Sequence, residues 1–382
     1  MEPTLSSRFA PPWLEVVQPL VTSLFVVTDP GRDQDDEDVL VGLNRYVRMG
    51  LLSTLGVVAN LAPSAKRARL AKGTLGQLGL AEIPVGIGTG CNQPDDDGLD
   101  YQFNVTYLAE EDSVVDGYEL LRQTLIAARP QQVVLLLISG LTDAARMLRD
   151  EPALFLSKVR RVVFMGGVET VGDQVKIGED GLFRPDATAQ NVKFDGEAAN
   201  YLYRQLQLGE IPMTILTRHA SGAAKVPRAI YDRMAETGHP VGIRVRDAQK
   251  LAIEEVWRRA NLPEGDPKRM GLPARCNKDW FCGAFLGGQG KDLTGEDSIW
   301  NLVQTFMLYD PMTLIAAVPV LREYFYQSCV VEVGGVEHHI IGVSPARHGV
   351  NDPNMLSQYL VESLVASLEV NMQSRASDAA VA

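Results

Sequence analysis

The stretch LFVVTDPGRDQDDEDVLVGL, residues 24–43, decides the fold. Phe25-Val26-Val27 is an apolar, β-branched run that breaks at Thr28-Asp29-Pro30-Gly31; apolar residues resume at Val39-Leu40 and Leu43. The pattern predicts a buried strand, a Pro-Gly turn and the start of a helix. Between 29 and 38 lie six carboxylates and a single arginine, Arg32. Acids near a helix N-terminus are favourable because its dipole and free N–H groups attract negative charge. Six exceed that need, since like charges this close repel by about 1 kcal/mol per pair even in water. A divalent cation would reverse the repulsion; a solvated acidic turn is the plainer reading. Position favours the cation, because ligands of open α/β sheets sit beyond the carboxyl ends of the strands.

The 382 residues are 46% apolar, enough for one large α/β domain or two smaller ones. A net charge of −12 disfavours nucleic-acid binding, which needs a basic face. Cys91, Cys276, Cys282 and Cys329 form no CxxC and are expected to be free thiols. No apolar run approaches the ~20 residues that span a bilayer, and residues 1–20 lack the features of a signal peptide. A cytosolic protein without membrane contact is expected.

Outward from the opening stretch, strand and helix alternate. A helix is predicted from Glu37 to Met49, a strand from Leu51 to Asn60, a helix from Pro63 to Leu78 and a short strand at 83–87. The loop from Gly88 to Asp112 is long enough to be functional. A helix follows from Val114 to Ala128. Val133 to Ile138 and Val159 to Met165 are uninterrupted apolar runs of the kind found in parallel strands covered on both faces. Asp195 to Leu206 reads as helix and Met213 to Leu216 as strand. The class is α/β with a mostly parallel sheet flanked by helices. Residues 221–300 read as a helical insertion over the strand ends, a lid candidate, with a peripheral subdomain as the alternative. A helix from Asn301 to Leu314, a strand pair within 329–343, and a closing helix from Pro353 to Met372 complete the main domain, residues 21–372. Residues 1–20 are expected to be an arm packing through Trp13 and Leu14, and the tail from Gln373 to be loose.

Three local motifs fail. Gly86-Ile-Gly-Thr-Gly90 opens no helix, Gly290-Lys291 lacks the rest of a P-loop, and an EF-hand would need glycine where Asp38 stands. His338-His339 are adjacent on a strand and point to opposite faces.

Asp29-Pro30-Gly31 followed by Asp35-Asp36 resembles the D-x-D-P-G-x-D-D hallmark of the inosine-uridine preferring nucleoside hydrolases, two residues longer after the glycine and with Val27 in the first Asp position. The resemblance continues in order through Gly56-Val-Val-Ala-Asn60, Ser139-Gly-Leu-Thr-Asp143, Phe164-Met-Gly-Gly167, Asn191 with Asp195-Gly-Glu-Ala-Ala199, and Tyr309-Asp310-Pro311. It implies a nucleoside hydrolase-like fold with Ca²⁺ at the strand ends, held by Asp29, Asp36 and Asp310 and by the carbonyl of Ile138 or Ser139. It implies a small-molecule ribosyl substrate, with Asp35 as the base and with Asn60, Met165, Asn191 and Tyr309 around the ribose. Hydrolysis would then follow the logic of an inverting glycosidase.

The family's ribose-binding Glu falls on Ala189, its His on Tyr309, and a second ribose Asn has Asp186 as its nearest polar counterpart. The divergent hallmark and the insertion also resemble nucleoside-hydrolase-like effectors that plant-pathogenic bacteria inject into host cells. Two readings therefore stand: a Ca²⁺-dependent N-ribosyl hydrolase, or a catalytically weak effector that binds a ribosyl ligand or a host plant protein. The oligomeric state is left open.

Overall fold

Residues 24–27 form the middle of β1 (Thr22–Thr28), and all four are at most 1% exposed. Side chains alternate across a strand. Leu24 and Val26 join one hydrophobic core, and Phe25 and Val27 join another. A strand covered on both faces belongs inside a sheet packed between two helical layers. A computed structural model describes residues 21–91, 102–269 and 272–381, with side chains as far as residue 374. The expected arm, with Trp13 and Leu14, lies outside the described residues.

After β1 come α1 (Asp35–Arg48), β2 (Leu52–Ala59), α2 (Ser64–Gln77), β3 (Val85–Ile87), β4 (Val115–Asp116) and α3 (Gly117–Ala127). Then follow β5 (Val133–Leu137), α4 (Thr142–Asp150), α5 (Pro152–Lys158), β6 (Val159–Gly166), a small hairpin of β7 (Thr170–Val171) and β8 (Gln174–Val175), α6 (Gln190–Lys193), α7 (Gly196–Leu208) and β9 (Met213–Thr217). The insertion contributes α8 (Arg218–Ala223), β10 (Val226–Pro227), α9 (Ala229–Glu236), α10 (Pro240–Ala260) and α11 (Lys278–Phe285). The chain closes with β11 (Thr305–Phe306), α12 (Tyr309–Ala317), α13 (Pro319–Phe325), the pair β12 (Cys329–Val333) and β13 (Val336–Ile341), and α14 (Pro353–Val381).

Nine strands form one sheet in the order β12-β13-β9-β6-β5-β1-β2-β3-β4. Every pairing is parallel except β12 with β13. From β1 the chain steps to β2, β3 and β4 on one side, then crosses to β5 and continues to β6 and β9 on the other. The reversal leaves a crevice beyond the carboxyl ends of β1 and β5, where open α/β sheets bind ligands. Asp29 follows β1 there and Ile138 follows β5.

One sheet face is covered by a core that includes α1, α9, α12 and α14, the other by a core that includes α3, α4 and α7. Gly42 lets α1 and α12 approach closely: a Cβ there would lie 2.9 Å from Leu314 Cδ2. That approach sets the first turns of the two helices side by side.

Four details depart from the sequence reading. α1 begins at Asp35, so the acidic pair lies within the helix. Residues 301–314 are not one helix. Thr305-Phe306 pair with Val226-Pro227, and helix resumes only at Tyr309. The helix expected from Val114 starts only at Gly117, after a short strand, β4. The closing helix runs on to Val381, where a loose tail was expected from Gln373. All four cysteines are free. Among the described residues no helix is long and apolar enough to cross a membrane.

Candidate functional site

The turn after β1 is fixed from below. Gly31 has φ +126°, and a Cβ there would lie 3.0 Å from the Phe103 ring. Arg67 of α2 donates from Nη1 to the carbonyls of Asp29 at 2.7 Å and Pro30 at 2.9 Å. Asp36 Oδ1 accepts from the Thr28 hydroxyl and from the Asp29 amide at 2.8 Å, which aims this carboxylate back over the end of β1.

Asp310 enters from the other end of the chain, in the first turn of α12, where Pro311 is tolerated because the first-turn N–H groups have no partner within the helix. Its amide donates to Asp35 Oδ2 at 3.4 Å. One oxygen each from Asp35, Asp36 and Asp310 lie within 4.8 Å of one another. The three residues are 7%, 2% and 5% exposed. Burial first, and the neighbouring carboxylates next, push all three carboxyls well above the usual range. Asp29 lines the same cavity outside this triad; burial, opposed by Arg67 and a Ser139 hydrogen bond, raises it to about 6.

The acidic run is therefore divided. Asp35 and Asp36 face the crevice. Glu37 is fully buried against Arg244 of α10 at 3.2 Å, and Asp38 accepts from the Tyr231 hydroxyl of α9 at 3.4 Å. Arg244 also donates to Gln34 Oε1 at 3.3 Å and to the Gln102 carbonyl at 2.7 Å. Two of the six acids thus find partners in the insertion and need no metal.

A cavity of about 590 Å³ opens over the triad. The core contributes Asp29, Asp35, Asp36, Ile138, Met165, Asn191, Tyr309 and Asp310 to its lining. The insertion contributes Gln249, Ile253, Arg259, Trp280 and Phe285, so its helices stand directly over the strand ends. Asn191 Nδ2 donates to the Met165 carbonyl at 3.1 Å. The Tyr309 hydroxyl donates to Met307 Sδ at 3.2 Å, and burial raises its phenol. Ala189, where the resemblance expects a Glu, is on the cavity wall.

Asn60 is a correction. It is 0% exposed and absent from the cavity lining. Its Nδ2 donates to the Gly140 carbonyl and to Asp143 Oδ2, both at 2.8 Å, while its Oδ1 accepts from the Ser139 hydroxyl. Asn60 ties the end of β2 to the turn after β5, with both Nδ2 hydrogens and Oδ1 engaged away from the cavity. Asp186 is likewise committed, accepting from the Thr188 amide and hydroxyl and pairing with Arg218 at 3.3 Å.

The donor set at the triad is all oxygen and strongly negative, which suits a hard divalent cation and not zinc or copper. Sequence reading passed over Arg67, Arg218, Lys193 and Arg275. Arg218 carried a signal, standing immediately after the apolar run of β9, at a strand's carboxyl end. Lys193 and Arg275 carried none.

The sequence profile of the inosine-uridine preferring nucleoside hydrolases matches residues 28–355. No curated protein sequence matches. Among solved structures, the type III effector protein XopQ, complexed with adenosine diphosphate ribose, is 30% identical over 93% of this chain and 97% of its own, with a TM-score of 0.77. The effector protein XOO4466 is 29% identical over 93% of this chain and 96% of its own, with a TM-score of 0.74. The inosine-uridine preferring nucleoside hydrolase of Bacillus anthracis, at 15% identity over 91% of this chain and 99% of its own and a TM-score of 0.55, shares the fold.

Proposed function

The chain belongs to the inosine-uridine preferring nucleoside hydrolase family, and from that premise we propose that it is a Ca²⁺-dependent N-ribosyl hydrolase, cleaving the N-glycosidic bond of a nucleoside or related ribosyl compound. The observation that carries this reading is the buried triad Asp35, Asp36 and Asp310 at the reversal of the sheet, lining a cavity. Those three residues would hold the cation, with Ile138 beside them. When bound, it would neutralise the cluster and polarise the oxygens of the sugar diol and of a water.

We assign two roles differently from the expectation drawn from the family resemblance. The expected base, Asp35, belongs to the triad, and the expected ligand Asp29 stands outside it. Asp29, which lines the same cavity outside the triad, is the carboxylate we assign to take a proton from the attacking water, a role that needs a base within hydrogen-bond reach. Met165 and Asn191 bound the ribose, and Trp280 and Phe285 offer flat surfaces to a base. Attack at C1′ with departure of the base then passes through an oxocarbenium-like state, as in other glycoside hydrolyses.

A second reading has its own support. With Ala189 in place of a carboxylate and the Tyr309 hydroxyl donating to Met307 Sδ, neither of these two positions offers an acid to protonate the leaving base. This favours a chain that binds a ribosyl ligand and turns it over weakly, in keeping with its likeness to effectors. Base release from purine and pyrimidine nucleosides and from ADP-ribose, with and without Ca²⁺, separates the two. Asp36→Asn should abolish Ca²⁺-dependent thermal stabilisation. Asp29→Asn should keep that stabilisation and lose turnover. Ca²⁺-dependent ligand binding by a wild-type chain that releases no base would refute the hydrolase, and full activity in Asp29→Asn would refute the base.

A further inference from the structure

The cavity lining carries both signs of charge. Beside the carboxylates at the strand ends it includes Lys193 at the end of α6, Arg218 at the start of α8 and Arg275 just before α11, as well as Arg32 and the Glu255-paired Arg259. The first three come from three separate elements: α6, the start of α8 and the segment before α11. In a chain of net charge −12, such a grouping is not a by-product of composition. Lys193 and Arg275 are exposed, and neither side chain makes an ion pair or hydrogen bond among the described residues. Arg218 is steadied by Asp186 at 3.3 Å and the Thr188 hydroxyl at 2.7 Å, but both contacts fall on Nη1. A guanidinium carries five donors in a planar fork, so most of this one is left to pair with an anion. Cys276, on the same wall, marks where they converge. Burial raises its thiol, and the charges of Arg275, Arg269, Lys193 and Arg218 pull it back down.

We propose that Lys193, Arg218 and Arg275 form an anion subsite that takes the phosphate of a ribosyl ligand, so that the cavity favours nucleotides over nucleosides. The proposal rests on the ribosyl reading for the place of the sugar and adds the charged end. Oxygens of the diol face the carboxylates at the strand ends, the base meets Trp280 and Phe285, and the phosphate lies against the three cations. Arginine binds phosphate through paired N–H donors, and lysine adds a point charge. Because Lys193 and Arg275 are exposed, the attraction is screened by salt.

The test is calorimetric titration of the full chain with adenosine, AMP and ADP-ribose in Ca²⁺, and with inorganic pyrophosphate in EDTA. AMP should bind at least about ten-fold tighter than adenosine at low ionic strength, the gain from two or three charge-assisted contacts partly exposed to solvent. The preference should shrink in 0.5 M salt (~3–4 Å screening length) and in the Lys193→Ala/Arg275→Ala variant, which should also lose pyrophosphate. Equal affinities for AMP and adenosine in the wild-type chain overturn the subsite while leaving the sugar site standing. So does a preference that persists unchanged in high salt. Pyrophosphate binding without any adenosine binding supports the anion subsite and removes the ribosyl reading instead.

Discussion

Replacing Arg244 by Met tests how the acidic helix is held. Glu37 is 0% exposed and Arg244 7% exposed, at 3.2 Å. The substitution strands Glu37 in the interior and removes the donors to the Gln102 carbonyl and Gln34 Oε1. Breaking a buried pair from one side costs about 3–5 kcal/mol, because the remaining charge has no compensation. The reverse change is milder. In Glu37→Met, Arg244 still donates to Gln102 and Gln34, so the cost should be about half as large. Replacing both by Met removes the stranded carboxylate and should recover at least about 2 kcal/mol relative to Arg244→Met alone. Urea unfolding of the wild type, both single variants and the double variant completes the cycle. A loss below about 1 kcal/mol in Arg244→Met, or a double variant no better than that single one, would refute the claim that the insertion neutralises the site helix.

Thr28→Val removes the hydroxyl that donates to Asp36 Oδ1; Ca²⁺ affinity should fall by about 10–100-fold with the fold intact, and unchanged affinity would show that the bond does not orient the ligand. Asn60→Ala should cost about 3 kcal/mol of stability, since Asp143 and Ser139 each lose a buried partner, yet leave ribosyl-ligand affinity unchanged. A loss confined to affinity would return Asn60 to the sugar site. His338 is buried, its Nδ1 accepts from the Met213 amide, and burial pushes its pKa from 6.5 down to about 4. The unfolded chain binds this proton first as pH falls, so the stabilisation is complete above 6.5 and is lost between there and 4, by about 2 kcal/mol at pH 5. His338→Gln should flatten that part of the stability profile, and an unaltered slope would reject the assignment.

The strands were legible because both faces of a central parallel strand are buried, leaving runs such as Val133 to Leu137 with no polar interruption. The turn at Pro30-Gly31 and the helix after it were legible for equally local reasons. Residues 303–308 were misread because a short, partly apolar stretch such as VQTFML fits a helix as well as a strand. Only the partner strand, Val226-Pro227, decides between them. Asn60 was assigned to the sugar because its motif resembled a ribose-binding one. Its actual partner, Asp143, lies 83 residues away and is invisible to any local pattern. The lysine and arginines of the proposed anion subsite belong to the same class. Their meaning depends on which wall they line, and that is a property of topology.

The division of the acidic run follows from helix geometry. Successive residues turn by about 100°, so four consecutive acids cannot share one face. Asp35 and Asp36 turn toward the sheet's carboxyl ends, and Glu37 and Asp38 turn toward α10 and α9. Without the insertion, Glu37 would lose its counter-charge and Asp38 its hydroxyl donor, and burying these two carboxylates, both 0% exposed, would oppose formation of α1 itself. The insertion is thus more than a cover over the cavity. Arg244 neutralises Glu37 and the Tyr231 hydroxyl donates to Asp38, while Asp35 and Asp36 keep their repulsion, as a cation site requires. Deleting α10 to open the cavity should therefore weaken Ca²⁺ binding instead of improving access, with calorimetry as the measure. A shortened chain that stays folded and binds Ca²⁺ as tightly as the intact one would show that the acidic helix supports itself.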